Sequence, residues 1–171
     1  MANIFLIGFM GSGKSTVGKQ LAYLLQYDFI DLDEYLQKQE GATITQLFEE
    51  KGESYFREQE SQYLKSFHAS EKLVLSTGGG APCFFDNMKW MNENGTTVYL
   101  KAVPKLLADR LKKEKDHRPL LRGKSNDEVI DFINQKLGER EKFYLSAKII
   151  VDAVSLNGKK LVHELKVRNI I

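Results

Sequence analysis

Residues 8–15 read Gly8-Phe9-Met10-Gly11-Ser12-Gly13-Lys14-Ser15. A short apolar run precedes this stretch, and a segment of helical composition follows it. A glycine, four intervening residues and then Gly-Lys-Ser, placed between a strand and a helix, is typical of a phosphate-binding loop. The alternative is a glycine-rich turn that only joins the strand to the helix, and the flanking context disfavours it. We call residues 8–15 the phosphate loop.

The residue types of the phosphate loop fit the binding of ATP. Gly11 and Gly13 lack a Cβ, so successive backbone N–H groups can point into one concavity at the positive end of the helix. Lys14 brings a full charge to the β- and γ-phosphates, and the Ser15 hydroxyl is placed to ligate Mg²⁺. Thr16 is expected near the α-phosphate. The predicted nucleotide-binding residues of this segment are Gly11, Ser12, Gly13, Lys14, Ser15 and Thr16.

Size and composition predict a single domain, 1–171, that acts on a small molecule. The chain has 171 residues, of which 42% are hydrophobic, enough for one core. A net charge of +2 gives no basic surplus for nucleic acid. The lone Cys83 excludes an internal disulfide and suits a reducing compartment. The N-terminal apolar run is too short for a signal peptide or a membrane span, so we expect a cytoplasmic protein with no membrane partner. We expect a monomer, because no exposed-looking apolar stretch stands out.

Alternating short apolar runs and longer helical patterns predict an α/β fold. They indicate βαβ units and a parallel sheet covered by helices. Helical composition spans residues 14–25 and 105–113. Two more helix starts are marked by capping-box spacing, Thr43 with Gln46 and Ser125 with Glu128. The five predicted strands are 4–7, 28–32, 73–76, 97–100 and 148–151.

Two acids, Asp31 and Asp33, stand at the end of the second predicted strand. The two-residue period of a strand would put both carboxylates on one side, and strand ends in such sheets face the ligand crevice. In our hypothesis Asp31 belongs to the magnesium shell. Asp33 accepts a hydrogen bond from an acceptor hydroxyl and takes its proton. The alternative makes Asp33 the N-cap of a helix over residues 34–39.

Two arginines are candidates for binding an anion. Arg140 lies on the apolar stripe of the helix that follows Ser125, where an unpaired cation would be costly, so an anion or a cleft should meet it. Arg57 has Glu53 and Glu60 at helical ion-pair spacing, which equally describes a surface ladder. The candidacy of Arg57 therefore needs further support.

Two glycine-containing segments complete the pattern. Gly78, Gly79 and Gly80 follow the third strand, where a ligand could approach bare backbone N–H groups; a flexible turn is the alternative. Residues 112–124 are crowded with charge and include Arg118, which Pro119 biases toward an extended conformation. This segment is predicted to be a mobile loop, and a solvated linker is the alternative.

Taken in order, these motifs resemble those of the shikimate kinases. They are the phosphate loop, Asp-x-Asp, Phe-Arg-x-x-Glu, Gly-Gly-Gly, Arg-Pro-Leu-Leu and Arg-x-x-x-Tyr, over residues 4 to about 150. The resemblance implies a P-loop kinase of the nucleoside-monophosphate-kinase type, with a five-stranded parallel sheet and residues 112–124 as a lid. It implies transfer of the γ-phosphoryl group of ATP to the 3-hydroxyl of shikimate, with Mg²⁺, on the route to chorismate and aromatic amino acids.

The resemblance also implies roles for individual residues. Shikimate would be bound by Asp33, Arg57, Arg140 and the glycines 78–80, with the two arginines on its carboxylate and Asp33 on its hydroxyls. Arg118 would meet the transferring phosphate, and Arg110 would pack on adenine. The expected catalytic set is Lys14, Asp33 and Arg118.

The end of the chain departs from the family pattern. Residues 153–157 lack an arginine- and proline-containing adenine-binding stretch, so adenine contacts there are not expected to follow the family. The run that ends at Asp152 resembles an ATPase magnesium site, but we interpret it as a core strand and a turn. Two other functions remain open from the residues: a related kinase for another polyol acid such as gluconate, and a nucleotide-binding protein without catalysis.

Overall fold

The computed structural model describes residues 3–68, 72–112 and 123–171. Its centre is a five-stranded sheet in the order β2-β3-β1-β4-β5. Every neighbouring pair in it is parallel. The strands are β1 (Asn3–Ile7), β2 (Asp28–Asp31), β3 (Leu73–Ser76), β4 (Gly95–Lys101) and β5 (Ile149–Asp152). The predicted fold class, a parallel sheet flanked by helices, is confirmed.

Seven α-helices connect and cover the strands in the described part of the chain. They are α1 (Lys14–Leu25), α2 (Leu32–Glu40), α3 (Ile44–Lys65), α4 (Asn87–Asn94), α5 (Pro104–Lys112), α6 (Asn126–Tyr144) and α7 (Gly158–Val167). Both predicted capping boxes are present, at Thr43 for α3 and at Ser125 for α6. Helix α3 is kinked at Gly52, whose φ is 85°. A short 3-10 turn, Ala81–Cys83, links the third strand to α4.

The inner strands have the composition that burial on both faces demands. Strands β1 and β3 are buried at every position, so their side chains read as continuous apolar runs rather than alternating ones. The main hydrophobic core lies around this sheet. A second, smaller cluster of Leu36, Leu47 and Phe56 joins α2 to α3. The helices that carry Asp33 and Arg57 are therefore packed to each other.

The second strand corrects one prediction. It ends at Asp31, and Leu32 begins α2, so Asp33 lies in the first turn of a helix and not on the strand. The N-cap is Asp31, whose side chain accepts from the backbone N–H groups of Asp33 and Glu34. The same-side argument from strand periodicity was therefore wrong, and so was the alternative that made Asp33 the cap. Capping outcompeted strand extension because a carboxylate satisfies the free N–H groups of the first turn.

The last strand confirms the interpretation of the run before Asp152. Asp152 ends β5, and its Oδ1 accepts a hydrogen bond from the backbone N–H of Val154 at 2.8 Å. Its carboxylate thus closes a turn. Arg118 and nearly all of the predicted lid, 112–124, fall outside the described residues. Within the described residues, no helix is both long and apolar enough to cross a bilayer.

Candidate active site

The phosphate loop forms the concavity that its glycines predict. Gly11 and Gly13 have φ values of +81° and +97°, a region in which side chains are strained, and Gly13 caps the N-terminus of α1. Lys14 is buried, and its Nζ donates to the carbonyls of Gly8 at 2.8 Å and Phe9 at 3.0 Å. The ammonium group is thereby held against the loop. This arrangement offers backbone dipoles and one full charge to an anion.

Ser15 and Asp31 lie together beside the loop. The Ser15 hydroxyl donates to Oδ2 of Asp31 at 2.6 Å, while Oδ1 of Asp31 caps α2 through the Asp33 N–H at 3.1 Å. A hydroxyl and a carboxylate are hard oxygen donors of the kind that Mg²⁺ prefers. No group of three or more His, Cys, Asp or Glu side chains suited to a metal occurs among the described residues. In proteins Mg²⁺ commonly takes one or two protein oxygens and completes its shell with phosphate and water.

A cleft of about 750 Å³ opens in front of the phosphate loop. It brings together most of the residues that the sequence singled out, whereas Arg57, Gly80 and Arg140 do not line it and lie beside it instead. Its lining also includes Asp109, Ala153 and Leu156, which sequence reasoning did not select. The predicted site residues in its lining are Gly11, Ser12, Gly13, Lys14, Ser15, Thr16, Asp31, Asp33, Gly78, Gly79 and Arg110.

Residues 78–80, which we call the glycine loop, contact the predicted acceptor-binding side chains in turn. A Cβ placed on Gly78 would lie 2.8 Å from Oδ1 of Asp33 and 3.0 Å from Oε1 of Glu60. A Cβ on Gly79 would lie 3.2 Å from a guanidinium nitrogen of Arg140. One on Gly80 would lie 2.6 Å from a guanidinium nitrogen of Arg57. Asp33, Arg57 and Arg140, which are distant in sequence, therefore converge with Glu60 on three consecutive glycines.

The glycine loop also touches the phosphate loop. A Cβ placed on Gly79 would also lie 3.6 Å from the carbonyl oxygen of Gly8. That oxygen accepts a hydrogen bond from Nζ of Lys14. Contacts thus run from Arg140 through Gly79 to Gly8 and Lys14. The candidate acceptor groups stand next to the candidate phosphate site.

Arg57 is held by two acids and two aromatic rings. Its Nη1 donates to Oε2 of Glu60 at 2.8 Å, and its guanidinium lies 4.2 Å from the centre of the Phe84 ring and 5.0 Å from that of Phe56. A weaker bond of 3.4 Å joins it to the exposed Glu53. The side chain of Arg57 is only 12% exposed, so the surface-ladder alternative is wrong for the Arg57–Glu60 pair.

Glu60 is the charged residue whose role the sequence left unassigned. It is 1% exposed, and its Oε1 has no hydrogen-bond partner among the described residues. Burial raises the pKa of Glu60 to about 7, the Arg57 guanidinium opposes that rise, and the nearby Asp33 carboxylate adds to it. The spacing in the sequence could have indicated this role. Glu60 stands three residues after Arg57 and four after the buried Phe56, so the three side chains share one face of the helix.

Arg140 lies at the edge of the core, as its place on the apolar stripe of α6 predicts. It is partly exposed, and its guanidinium stands 5.6 Å from the centre of the Phe9 ring, next to the phosphate loop. One turn later, the buried Tyr144 donates a hydrogen bond from its hydroxyl to the Gly79 carbonyl. The cation thus faces the glycine loop, where an anion can reach it.

Arg110 joins the phosphate loop to the loop after β5. One of its terminal nitrogens donates to the carbonyls of Gly11 at 3.2 Å and Ser12 at 3.0 Å, and the other donates to the Ala153 carbonyl at 3.0 Å. These bonds satisfy two carbonyls of the phosphate loop and tie that loop to Ala153. Leu156, three residues after Ala153, also lines the cleft. The lining thus includes a planar cation and an apolar side chain.

Comparison with known proteins gives a consistent result. The family model described as shikimate kinase matches residues 10–168. The shikimate kinase of Bacteroides fragilis is 49% identical over 162 residues, which span 95% of this chain and 90% of that protein.

Solved structures are similar along almost the whole chain. The crystal structure of shikimate kinase from Bacteroides thetaiotaomicron has a TM-score of 0.91 at 44% identity, covering 99% of this chain and 98% of that one. The shikimate kinase from Acinetobacter baumannii in complex with shikimate has a TM-score of 0.86 at 32% identity, covering 99% of this chain and 94% of that one.

Proposed function

The chain belongs to the shikimate kinase family, and from this premise we propose that Asp33, Arg57, Arg140 and the glycine loop bind its acceptor. The enzyme transfers the γ-phosphoryl group of ATP to the 3-hydroxyl of shikimate, giving shikimate 3-phosphate and ADP. ATP and Mg²⁺ are required for this reaction. The observation that carries the residue assignment is the convergence of three charged side chains on the glycine loop beside Lys14.

In this proposal the phosphate loop binds the triphosphate of ATP. Backbone N–H groups around Gly11 and Gly13 meet phosphate oxygens, and the Lys14 ammonium leaves its carbonyl partners for the β- and γ-phosphates. Ser15 and Asp31 hold the magnesium ion, since they offer the hydroxyl and carboxylate oxygens that it prefers. When bound, the ion neutralises charge on the β- and γ-phosphate oxygens.

The acceptor is held by charge on one side and by hydrogen bonds on the other. Arg57 and Arg140 bind the shikimate carboxylate, because a planar guanidinium meets a carboxylate through two parallel hydrogen bonds. Asp33 accepts a hydrogen bond from the 3-hydroxyl. As the hydroxyl oxygen attacks the γ-phosphorus and the bond to the ADP oxygen breaks, Asp33 takes the proton. Its position between the glycine loop and the Asp31 cap supports this role.

Two further contacts complete the proposed site. Arg118, from the segment outside the described residues, adds positive charge to the transferring phosphate. Adenine packs on Arg110, and Leu156 of the loop 153–157 supplies an apolar side chain to the same cleft. An apolar side chain and a cation give stacking without reading the edge of the base.

We also propose a monomer that works in the cytoplasm. The assigned site is built from one chain, so no second copy is needed to complete it. The single cysteine, Cys83, is a free thiol, which suits a reducing compartment.

Turnover with defined acceptors tests the proposed function. Purified protein with ATP and Mg²⁺ is assayed for ADP release with shikimate, with gluconate and with quinate, each over a concentration series. Shikimate is expected to give saturable turnover, and gluconate none, because gluconate is an open chain that cannot present its carboxylate and hydroxyl with the ring's spacing. Equal turnover with gluconate would favour the related polyol-acid kinase, and no turnover with shikimate would reject the proposal.

A further inference from the structure

Tyr144 joins the helix of Arg140 to the glycine loop. Its side chain is fully buried, and its hydroxyl donates to the Gly79 carbonyl across 65 residues of sequence. Its ring packs on that of Tyr99, with 5.1 Å between the ring centres and a 42° tilt. The ring is thus fixed by β4, and the hydroxyl has one direction in which to point.

Arg140 shares this arrangement. It lies one helical turn before Tyr144 on α6, and its guanidinium is in contact range of Gly79. Burial raises the pKa of the Tyr144 hydroxyl, and the charge of Arg140 and a hydrogen bond from it oppose that rise. Tyr144 thus stays a neutral donor. Its hydroxyl bonds to the carbonyl of Gly79, the same residue that the Arg140 guanidinium approaches, so the two side chains meet at one peptide of the loop.

The bond to Gly79 has a consequence for the next peptide group. The carbonyl of Gly79 and the N–H of Gly80 belong to one planar trans unit and point in opposite directions. A glycine has few steric limits on its dihedral angles, so such a unit rotates easily unless something holds it. Fixing the carbonyl therefore fixes the direction of the Gly80 N–H.

We propose that Tyr144 is a positioning residue for the acceptor site, which sets the Gly79–Gly80 peptide and the Arg140 guanidinium in the orientation that receives the shikimate carboxylate. The inference rests on the proposed binding of shikimate at Arg140. It assigns no contact between Tyr144 and either substrate, since the tyrosine acts only through its two neighbours.

The Tyr144→Phe variant tests the inference, because it keeps the ring packing and removes only the hydroxyl. The KM for shikimate is expected to rise roughly 3- to 10-fold, the equivalent of one lost hydrogen bond, with the KM for ATP changed less than about twofold. The matched control is Tyr99→Phe, which removes the hydroxyl of the other ring of the same buried pair. It is expected to leave the KM for shikimate at the wild-type value. Equal rises for both substrates, an equal effect of Tyr99→Phe, or no change in Tyr144→Phe would each overturn the inference.

A double-mutant cycle shows whether Tyr144 acts through Arg140. Tyr144→Phe in an Arg140→Lys background is expected to raise the KM for shikimate by a smaller factor than in the wild type, because residues that share a contact are not additive. Full additivity would contradict coupling to Arg140.

A crystal structure of Tyr144→Phe without substrate separates this inference from the proposed function. We expect the Gly79–Gly80 peptide to rotate or the Arg140 guanidinium to shift. If both keep their wild-type positions, the positioning role fails whatever the acceptor is. If the peptide moves but the wild type does not phosphorylate shikimate, the failure belongs to the proposed function.

Discussion

At the scale of single residues, the glycine loop is defined by the side chains it lacks. Gly80 is the tightest position, because a Cβ would stand within 2.9 Å of three guanidinium atoms of Arg57. That guanidinium cannot easily move, since Glu60 holds it at 2.8 Å and the Phe84 ring covers one face at 4.2 Å. Space for Arg57 is therefore a requirement of this loop.

The Gly80→Ala variant is expected to displace Arg57 and weaken shikimate binding. We expect the KM for shikimate to rise at least ~10-fold, because one charge-assisted hydrogen bond contributes roughly 1.5–3 kcal/mol. ATP binding should change little. The matched control is Gly138→Ala on α6, where a Cβ would meet nothing within 4 Å. An unchanged KM for shikimate in Gly80→Ala would show that Arg57 does not bind the acceptor.

Asp33 is the residue on which the proposed proton transfer depends. Asp33→Asn keeps the shape and removes the base, so kcat is expected to fall at least ~10²-fold, the low end for positioned acid–base catalysis. ADP affinity measured by calorimetry should stay within about twofold, because the nucleotide is bound at the phosphate loop. Glu34→Gln changes the exposed neighbouring acid of the same helix and serves as the control. Retained turnover in Asp33→Asn would exclude the base role.

The sequence was most informative where a residue type has few uses. A lysine and a serine after a glycine turn are typical of a phosphate loop, and Lys14 and Ser15 line the cleft at the start of α1. Asp33 also lines the cleft, although the strand periodicity that placed it there was wrong. Glu60 and Tyr144 stand in the quoted Phe-Arg-x-x-Glu and Arg-x-x-x-Tyr motifs, but they were given no roles, because burial and a contact across 65 residues decide those roles.

At the scale of elements, a buried polar chain anchors α3 to the segment after the glycine loop. The Ser61 hydroxyl donates to Oδ1 of Asn87 at 2.6 Å, and Nδ2 of Asn87 donates to the Ala81 carbonyl at 2.9 Å. Asn87 is fully buried. These bonds fix α3, which carries Arg57, relative to the loop that Arg57 contacts.

Asn87→Ala is expected to destabilise the fold through this anchor. It leaves the Ser61 hydroxyl and the Ala81 carbonyl without partners in the interior, which costs about 1–3 kcal/mol of unfolding free energy per unsatisfied group. Urea unfolding measures the loss. Asn94→Ala removes an amide that bonds to the carbonyl of Trp90 on its own helix α4, at 2.9 Å and with partial exposure, and should cost less. Equal losses in the two variants would contradict the anchoring role.

Element types were easier to predict than element ends. The parallel strands β1 and β3 are buried on both faces, so their apolar runs predict them directly from the sequence. Strand β2 was extended by one residue too many, because Leu32 is as apolar as a strand residue and only the Asp31 cap decides its state. Helices α4 and α7 were not predicted. Neither has a capping box, because lysines, Lys89 and Lys160, stand three residues after the N-caps Asp86 and Asn157 in place of glutamate or glutamine.

At the scale of the whole molecule, we expect Glu60 to make folding stability depend on pH. Burial raises its pKa from 4.5 to about 7. Below pH 4.5, the Glu60 carboxyl group is protonated in both the folded and the unfolded state. Above that pH, Glu60 ionises in the unfolded chain before it ionises in the folded protein. The contribution of Glu60 to stability is therefore fully present at low pH and is lost as pH rises to about 7, by up to ~3 kcal/mol.

Urea unfolding of the wild type and Glu60→Gln at pH 5, 6, 7 and 8 measures this loss. The wild type should lose more unfolding free energy across the series than Glu60→Gln, whose amide does not ionise. Identical pH profiles would contradict this prediction. They would show that Glu60 is ionised in the folded protein throughout the series, because the ion pair with Arg57 favours the charged carboxylate.

The order of the sheet also explains why the site assembles where it does. Strands β3 and β1 are neighbours and parallel, so the glycine loop and the phosphate loop leave the sheet at the same edge. Alternating elements in the sequence predicted a parallel sheet but not the order of its strands. The contact between Gly79 and Gly8 depends on that order, so it could not be derived from spacing alone.

A crystal structure of the protein with shikimate and ADP tests the central claim most directly. We expect the shikimate carboxylate within hydrogen-bonding distance of the guanidinium groups of both Arg57 and Arg140, and the 3-hydroxyl on the carboxylate of Asp33, facing the end of the ADP phosphates. Shikimate bound away from the glycine loop, or held by neither arginine, would contradict the account.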